Sequence, residues 1–402
     1  MENRWSLIKS ISDEPTGETK YLGIGDVCNT LVNYIQSEKI VTPMSIAIHG
    51  QWGSGKTNLL KALQKNLHEN KTKVVYFDAW KHESGNPSVA LVGKIMKELS
   101  GDTTMIKNVV KLAADALIRK TLDMQLDEVA NRLSEGMEAS ESLSEVLEKK
   151  INREIGDDKK LIVLIDDLDR CDIENTLQIL SLLKLFLDIK NCVCIAAIDF
   201  HRVEQAWFSK YGIKEAEESE LKKEGRQYLE KIFQIRVPIP HPRNEQKFEY
   251  IENLMKDVPR EYLDLFVKFG PSNPRAIKRT INLISYRSIL CTSDDKEMTA
   301  FIWTLLDENF GSKELIKVYD KFESEGGFIQ VIDGIQTDGN RFQNTMSSVH
   351  RPQNCKIKFQ SMGNILEFFK TTSGMFREMT SPKGSIVKDF SKLYSSTKQL
   401  QD

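Results

Sequence analysis

Five short apolar runs alternate with helical patterns along residues 44–240. Each run has the length of a strand and is rich in β-branched or aromatic residues. Strands that alternate with helices are typical of βαβ units, so the pattern predicts an α/β fold with a parallel sheet covered by helices on both faces. The predicted strands are Ser45–His49, Val74–Phe77, Leu161–Ile165, Val193–Ile198 and Phe233–Val237.

Helical patterns dominate the rest of the chain. An amphipathic helix is expected at Ile24–Glu38, ahead of the first strand. Between the second and third strands, residues 86–160 read as a charged helical insertion, either a solvated decoration or an arm for partner binding or oligomerisation. The predicted organisation is a lead-in at 1–43, an α/β domain at 44–240, a helical lid at 241–310 and a segment of unassigned role at 311–402.

Length, net charge and apolar runs limit the number of domains, the partners and the membrane segments that can be expected. The 402 residues exceed what one hydrophobic core usually serves, so more than one domain is expected. The net charge of −2 gives no general attraction to nucleic acid or to anionic membranes. No signal-peptide core is evident, and no apolar run reaches the roughly 18 residues of a membrane span. The sequence therefore predicts a cytoplasmic protein without a membrane helix.

The sequence GQWGSGKT lies between the first strand and a helical pattern, and it fits the spacing G-x4-G-K-[ST]. Glycines let the backbone curl so that successive N–H groups converge on phosphate oxygens, and the following helix adds its positive end. Lys56 is expected to reach the β- and γ-phosphates, and the Thr57 hydroxyl to bind Mg²⁺. The predicted nucleotide-binding residues are Gly50, Gln51, Trp52, Gly53, Ser54, Gly55, Lys56, Thr57 and Asn58.

The third predicted strand ends in adjacent carboxylates. A buried parallel strand delivers its last residues to the carboxyl edge of the sheet, where ligands bind. Asp166 is therefore predicted as the second Mg²⁺ residue, and Asp167 as the residue that positions the attacking water. Many hydrolases of this class have Glu at the latter position, so Asp169 is kept as the competing candidate.

Three further residues are candidates by position, each with two interpretations. Asp199 ends the fourth strand and either senses the γ-phosphate or caps the next helix. Arg275, in the first turn of a lid helix, either neutralises phosphate charge or forms a surface or interdomain ion pair. Arg170 is expected to be an internal ion-pair partner, with a role in trans at a neighbouring subunit's phosphate as the alternative.

Over roughly residues 20–290 the chain resembles the KAP family of P-loop NTPases. The likeness lies in GQWGSGKT, VVYFDAWKHE, LIVLIDDLDRC and NPRAIKRTINLI. It implies the sheet order 5-1-4-3-2 of the additional-strand class and a C-terminal helical lid. Many members carry membrane helices between the two nucleotide motifs, whereas the insertion here is charged. Soluble bacterial members resemble proteins of phage exclusion and defence. By resemblance, the functional residues are Lys56, Thr57, Asp166, Asp167, Asp169, Arg170 and Arg275.

These observations predict a Mg²⁺-dependent ATPase that acts as a switch or motor in a homo-oligomer, coupled to a protein partner. ATP is preferred over GTP because no Asn-Lys-x-Asp element follows the fourth strand. One alternative is a nucleotide-gated scaffold with little hydrolysis, since Asp167 stands where Glu is usual. The other is an effector that acts on nucleic acid, suggested by Lys278, Arg279 and lysines of the C-terminal tail.

Overall fold

The structure of the protein is a computed structural model. It describes residues 9–68, 72–99, 145–155, 159–186, 189–203, 229–324, 326–333, 362–378 and 383–399, with scattered residues between 104 and 114 and between 343 and 346. The chain forms two compact units. One is the α/β unit Pro15–Pro240, and the other is the helical unit, made of Met1–Glu14 and His241–Asp402.

The α/β unit is built on a five-stranded parallel sheet with the order β2-β3-β4-β1-β5. This is the order predicted from the family resemblance, and the α/β fold class is confirmed. β3 and β4 are buried along their whole length, as expected for central strands covered on both faces. The strands are β1 Met44–His49, β2 Lys73–Asp78, β3 Leu161–Asp166, β4 Cys192–Ile198 and β5 Ile235–Pro238.

Helices pack on this sheet through apolar stripes. The lead-in helix predicted at Ile24–Glu38 is α1, and it buries Ile24, Cys28, Leu31 and Ile35 at helical spacing. Of the predicted insertion, the structure describes residues 86–99, 145–155 and 159–160 and scattered residues between 104 and 114. All of these are helical except residues 86, 159 and 160. The labelled helices of this unit are α1 Ile24–Gln36, α2 Lys56–His68, α3 Pro87–Leu99 and α4 Ile173–Phe186.

The helical unit has its own core. The indole of Trp303 is fully buried and meets the rings of Tyr319 and Phe390, with centroids 5.6 and 5.8 Å away. Residues on both sides of position 310 therefore share one core. The helices are α5 Asn244–Leu254, α6 Arg260–Phe269, α7 Pro274–Leu290, α8 Lys296–Phe310, α9 Ser312–Ser324, α10 Phe328–Asp333, α11 Met362–Glu378 and α12 Lys383–Gln399. Throughout the described residues, no helix is both long enough and apolar enough to cross a bilayer.

The buried carboxylate of Asp389, on α12, is hydrogen-bonded to the turn before α8. Asp389 accepts hydrogen bonds from the backbone N–H groups of Thr292 and Ser293, at 2.7 and 2.9 Å, and from the Thr292 hydroxyl. Burial favours the neutral acid, but these hydrogen bonds outweigh it and lower the pKa of Asp389. The ionised carboxylate therefore stabilises the folded helical unit.

We expect Asp389→Ala to destabilise the protein by about 2–3 kcal/mol at pH 7, because the buried N–H of Ser293 and the partly buried N–H of Thr292 lose their acceptor. The lowered folded-state pKa means that the contribution is complete above the unfolded pKa of about 3.9 and is lost as pH falls below it. Urea denaturation at pH 7 and near pH 3.5 would measure the difference. Asp320→Ala, which removes an exposed hydrogen bond from Tyr394, is the control and should cost under about 1 kcal/mol. An Asp389→Ala protein as stable as this control at pH 7 would contradict the assignment.

Candidate functional site

The loop between β1 and α2 has the geometry of a phosphate cradle. Gly53 and Gly55 have φ values of 81° and 106°, which L side chains rarely adopt. A Cβ on Gly50 would lie 2.7 Å from the Ser54 hydroxyl and 3.3 Å from Ile239 Cβ, so a side chain here would force these neighbours to shift. Ser54 Oγ is buried and has no hydrogen-bond partner among the residues that the structure describes. A curled loop with an unsatisfied buried hydroxyl fits an oxygen-rich anion.

Lys56 is the buried cation of this loop. Its Nζ donates to the carbonyl oxygens of Gly50 and Gln51, at 2.8 and 3.3 Å, and lies 3.4 Å from Asp169 Oδ2. Asp169, the competing candidate for the attacking water, is thus placed as the ion-pair partner of Lys56. Both side chains are largely shielded from solvent, so their attraction is weakly screened.

Thr57 and Asp166 meet at the carboxyl edge of the sheet. The Thr57 hydroxyl donates to Asp166 Oδ1 at 3.2 Å, and the backbone N–H of Asp167 donates to the same oxygen at 2.9 Å. Burial raises the pKa of Asp166 even though these hydrogen bonds oppose it. A hydroxyl beside a carboxylate is the ligand pair that Mg²⁺ takes together with nucleotide phosphates.

Tyr76 is a member of this site that the sequence analysis did not identify. Its hydroxyl donates to Asp166 Oδ2 at 2.5 Å. The contact follows from the parallel pairing of β2 with β3, which places Tyr76 beside Leu164 and Asp78 beside Asp166. Burial, followed by the charge of Asp166, raises the pKa of Tyr76, so the phenol stays protonated. Tyr76 could have been singled out in the sequence as the one polar ring in an apolar strand, because a buried tyrosine hydroxyl usually has a hydrogen-bond partner.

Asp167 leaves β3 in a left-handed conformation, with φ 54°. Burial, followed by the charge of Asp166, raises its pKa to about 6, although Arg170 acts in the opposite direction. Arg170 Nε lies 2.9 Å from Asp167 Oδ1, and the guanidinium lies over the Trp80 ring at 5.2 Å. The structure therefore places Arg170 in an ion pair within its own chain.

Two of the segments on which the family resemblance rests, VVYFDAWKHE and LIVLIDDLDRC, contact each other where β2 and β3 end. Besides the Trp80–Arg170 contact, the backbone N–H of Ala79 donates to the Asp166 carbonyl at 3.0 Å. Glu83 Oε1 accepts from the backbone N–H of Asp172 at 2.7 Å, just ahead of α4. Residues 79–83, which follow β2, thus support residues 166–172 at the end of β3, the acidic segment.

Asp199 lies at the end of β4, next to the end of β1. Its Oδ1 accepts from the backbone N–H of His201 at 3.2 Å, which is the contact of a helix cap. His49, the last residue of β1, has a pKa lowered by burial and by the charge of Arg236, while Asp199 acts in the opposite direction. The cap interpretation of Asp199 therefore has a contact to support it.

Arg275 belongs to the helical unit, in the first turn of α7. The Asn273 side chain caps this helix by accepting from the backbone N–H groups of Arg275 and Ala276. The Arg275 guanidinium is hydrogen-bonded to the Asp13 carboxylate. On the same helix, Asn282 exchanges a pair of hydrogen bonds with the backbone of Ile11. The segment 11–13 is thus fastened along α7.

Asn58, predicted to contact the nucleotide, is bonded to the amino-terminal part of the α/β unit. Its side chain accepts from the backbone N–H of Gly17 at 2.9 Å and donates to the Glu18 carbonyl at 2.6 Å. One turn further along α2, Lys61 Nζ donates to the Pro15 carbonyl at 3.0 Å. The segment 15–18 is thus fastened to the helix that starts at the phosphate loop.

The chain is similar to several known proteins. The family model for the KAP family P-loop domain matches residues 26–290. The phage T7 exclusion protein of Escherichia coli K12 is 24% identical over 335 residues, and the match covers 71% of this chain but 43% of that protein. The chain therefore spans less than half the length of this relative.

Solved structures with a similar course of the chain include Cdc6p from Pyrobaculum aerophilum, with a TM-score of 0.44, 13% identity and coverage of 97% of this chain and 91% of that one. A second is a single-residue variant of RuvB from Thermotoga maritima, with a TM-score of 0.36, 11% identity and coverage of 87% of each chain. Because the family model covers more than half of the 402 residues, with the phosphate loop and the acidic segment inside the match, the chain belongs to the KAP family of P-loop proteins.

Proposed function

We propose that this protein binds ATP with Mg²⁺ at the β1–α2 loop and hydrolyses it. The observation that supports this best is the convergence of Lys56, Thr57 and Asp166 at one edge of the sheet. Thr57 Oγ1 lies 3.2 Å from Asp166 Oδ1, and Lys56 Nζ lies 2.8 Å from the Gly50 carbonyl of the loop. A buried cation, a hydroxyl and a carboxylate in this arrangement fit a nucleotide phosphate chain.

Each of these residues has a distinct role in the proposal. The loop N–H groups and Lys56 hold the phosphates, and Lys56 leaves its loop carbonyls and Asp169 to do so. Thr57 and Asp166 would hold Mg²⁺, which would neutralise charge on the phosphate oxygens. Asp167 would position the attacking water and accept its proton. The water oxygen would bond to the γ-phosphorus as the bond from that phosphorus to the bridging oxygen breaks, with ADP and phosphate as products. This requires the Asp167 carboxylate to be released from Arg170.

We further propose that hydrolysis drives a switch in a homo-oligomer, with a protein partner. A role in anti-phage defence is supported by the similarity to the phage T7 exclusion protein, at 24% identity over part of its length. The nucleic-acid alternative has less support. Lys278 donates to the Ser12 carbonyl, and Lys392 donates to the Thr292 hydroxyl, so both are engaged within the helical unit.

The second candidate function is a nucleotide-gated scaffold that binds ATP but hydrolyses little. It is favoured by one contact, the ion pair of Arg170 with Asp167 at 2.9 Å, which occupies the proposed base. In such a protein this ion pair persists when ATP is bound.

Binding of a fluorescent ATP analogue and steady-state ATP hydrolysis, both with Mg²⁺ and across protein concentration, test the proposal. We expect saturable binding and turnover per subunit that rises with protein concentration, and weaker competition by GTP than by ATP. Binding without turnover at any concentration would select the scaffold. Absence of binding with or without Mg²⁺ would overturn both functions.

A further inference from the structure

We propose that Tyr76 is a positioning residue for Asp166, and that its hydroxyl sets how much Mg²⁺ the protein needs in order to bind nucleotide. The inference rests on the proposed function, because it concerns the same site. It adds a residue of β2 to a site otherwise made by the phosphate loop and the end of β3.

The two carboxylate oxygens of Asp166 accept hydrogen bonds from different donors. Oδ1 receives the Thr57 hydroxyl at 3.2 Å and the Asp167 N–H at 2.9 Å, whereas Oδ2 receives the Tyr76 hydroxyl at 2.5 Å. The terminal torsion of an aspartate has a broad energy minimum, so the carboxylate plane turns readily unless both oxygens are held. Tyr76 therefore keeps Oδ1 turned toward Thr57, which is the side on which Mg²⁺ is expected.

The tyrosine is itself held rigidly. Its backbone pairs with Leu164 in the parallel β2–β3 ladder, and Phe77, the next residue, is fully buried. The Asp166 side chain is buried as well, with 2% of the residue exposed. A phenol on a strand of the same sheet is thus a fixed donor, and it adds no charge beside the carboxylate.

Loss of the hydroxyl alone has a specific consequence. In Tyr76→Phe the ring keeps its place, but Oδ2 loses its donor. Asp166 is then held only through Oδ1, by Thr57 and the Asp167 N–H, and its carboxylate plane is less well fixed. Nucleotide binding that depends on Mg²⁺ then weakens, because the carboxylate must be reoriented each time the ion binds. Binding in the absence of Mg²⁺ is unaffected, since the loop and Lys56 are intact.

The test is a titration of the full chain with a fluorescent ATP analogue, first in EDTA and then with increasing Mg²⁺. For Tyr76→Phe we expect the Mg²⁺ concentration at half-maximal enhancement of binding to rise about tenfold, which is the scale on which hydrogen-bond partners of metal ligands tune metal affinity. Affinity in EDTA should equal that of the wild type, which also shows that the fold is intact. Tyr286→Phe, which changes an exposed tyrosine of the helical unit, is the control.

The outcomes separate the inference from the function on which it rests. An unchanged Mg²⁺ requirement in Tyr76→Phe, with normal binding by the wild type, would overturn the inference alone. Equal loss of binding in EDTA and in Mg²⁺ would show a structural role for the hydroxyl and would also overturn it. A wild-type protein that binds no nucleotide in either condition would overturn the proposed function, and the inference would fall with it.

Discussion

Replacing Lys56 by alanine is expected to weaken binding of ATP roughly 100-fold, since a buried cation that donates to phosphate oxygens is worth about 3 kcal/mol. Lys56 Nζ lies within the loop, 2.8 Å from the Gly50 carbonyl and 3.4 Å from Asp169. The ammonium group is therefore already inside the proposed site and needs only a change of partner to reach the nucleotide. Titration with a fluorescent ATP analogue in Mg²⁺ measures the effect.

The matched control for this change is Lys61→Ala. Lys61 lies on the same helix, and its Nζ donates to the Pro15 carbonyl at 3.0 Å. The Lys61→Ala variant should bind ATP with an affinity within about threefold of that of the wild type, because dissolved ions screen the charge of a lysine outside the site. Lys56→Met, which keeps most of the side-chain packing, guards against loss of the fold. Wild-type affinity in both Lys56 variants would show that the loop does not bind phosphate through this lysine.

Asp167→Asn is expected to slow hydrolysis strongly while making the nucleotide-free protein more stable. Removing a general base lowers turnover by about 100-fold or more, whereas binding of ATP is retained. The pKa of Asp167 is raised to about 6, above an unfolded value of about 3.9, so the ionised carboxylate is disfavoured in the folded protein. Its cost to stability is therefore absent below pH 4, grows between pH 4 and 6 and is complete above about pH 6.

We thus expect Asp167→Asn to raise the free energy of unfolding by about 1–3 kcal/mol at pH 7.5 and to leave it nearly unchanged near pH 4. Urea denaturation at both pH values, without nucleotide, measures the difference. Asp172→Asn is the control, since Asp172 accepts from the Asn175 N–H at the start of α4, and asparagine caps helices equally well. Lower stability of Asp167→Asn at pH 7.5, together with unchanged turnover, would assign Asp167 a structural role.

The strands were predictable because their cause is local. Apolar β-branched runs such as Leu161–Ile165 and Val193–Ile198 lie within β3 and β4, the two strands that are buried along their whole length. The order of the strands in the sheet was not predictable from these runs. Periodicity does not say which strands are neighbours, and the order came from the family resemblance before the structure confirmed it.

The phosphate loop was also predictable, because its motif is contiguous and its glycines serve a local conformation. The partners of the acidic segment were not. Tyr76 reaches Asp166 only through the register of β2 against β3, across 90 positions of sequence. Arg170 was expected to form an internal ion pair, but the choice of Asp167 and the support from Trp80 depend on how two chain segments leave the sheet.

Truncation of this protein at the start of the family match would remove residues that form hydrogen bonds within both units. The match starts at residue 26, downstream of the segments 11–13 and 15–18. A protein shortened to that limit would leave the Asn58 amide without Gly17 and Glu18, and the Arg275 guanidinium without Asp13. For expression of a folded fragment, the practical starting point is therefore upstream of residue 11, and a purification tag is better placed before the segments 11–13 and 15–18 than in place of them.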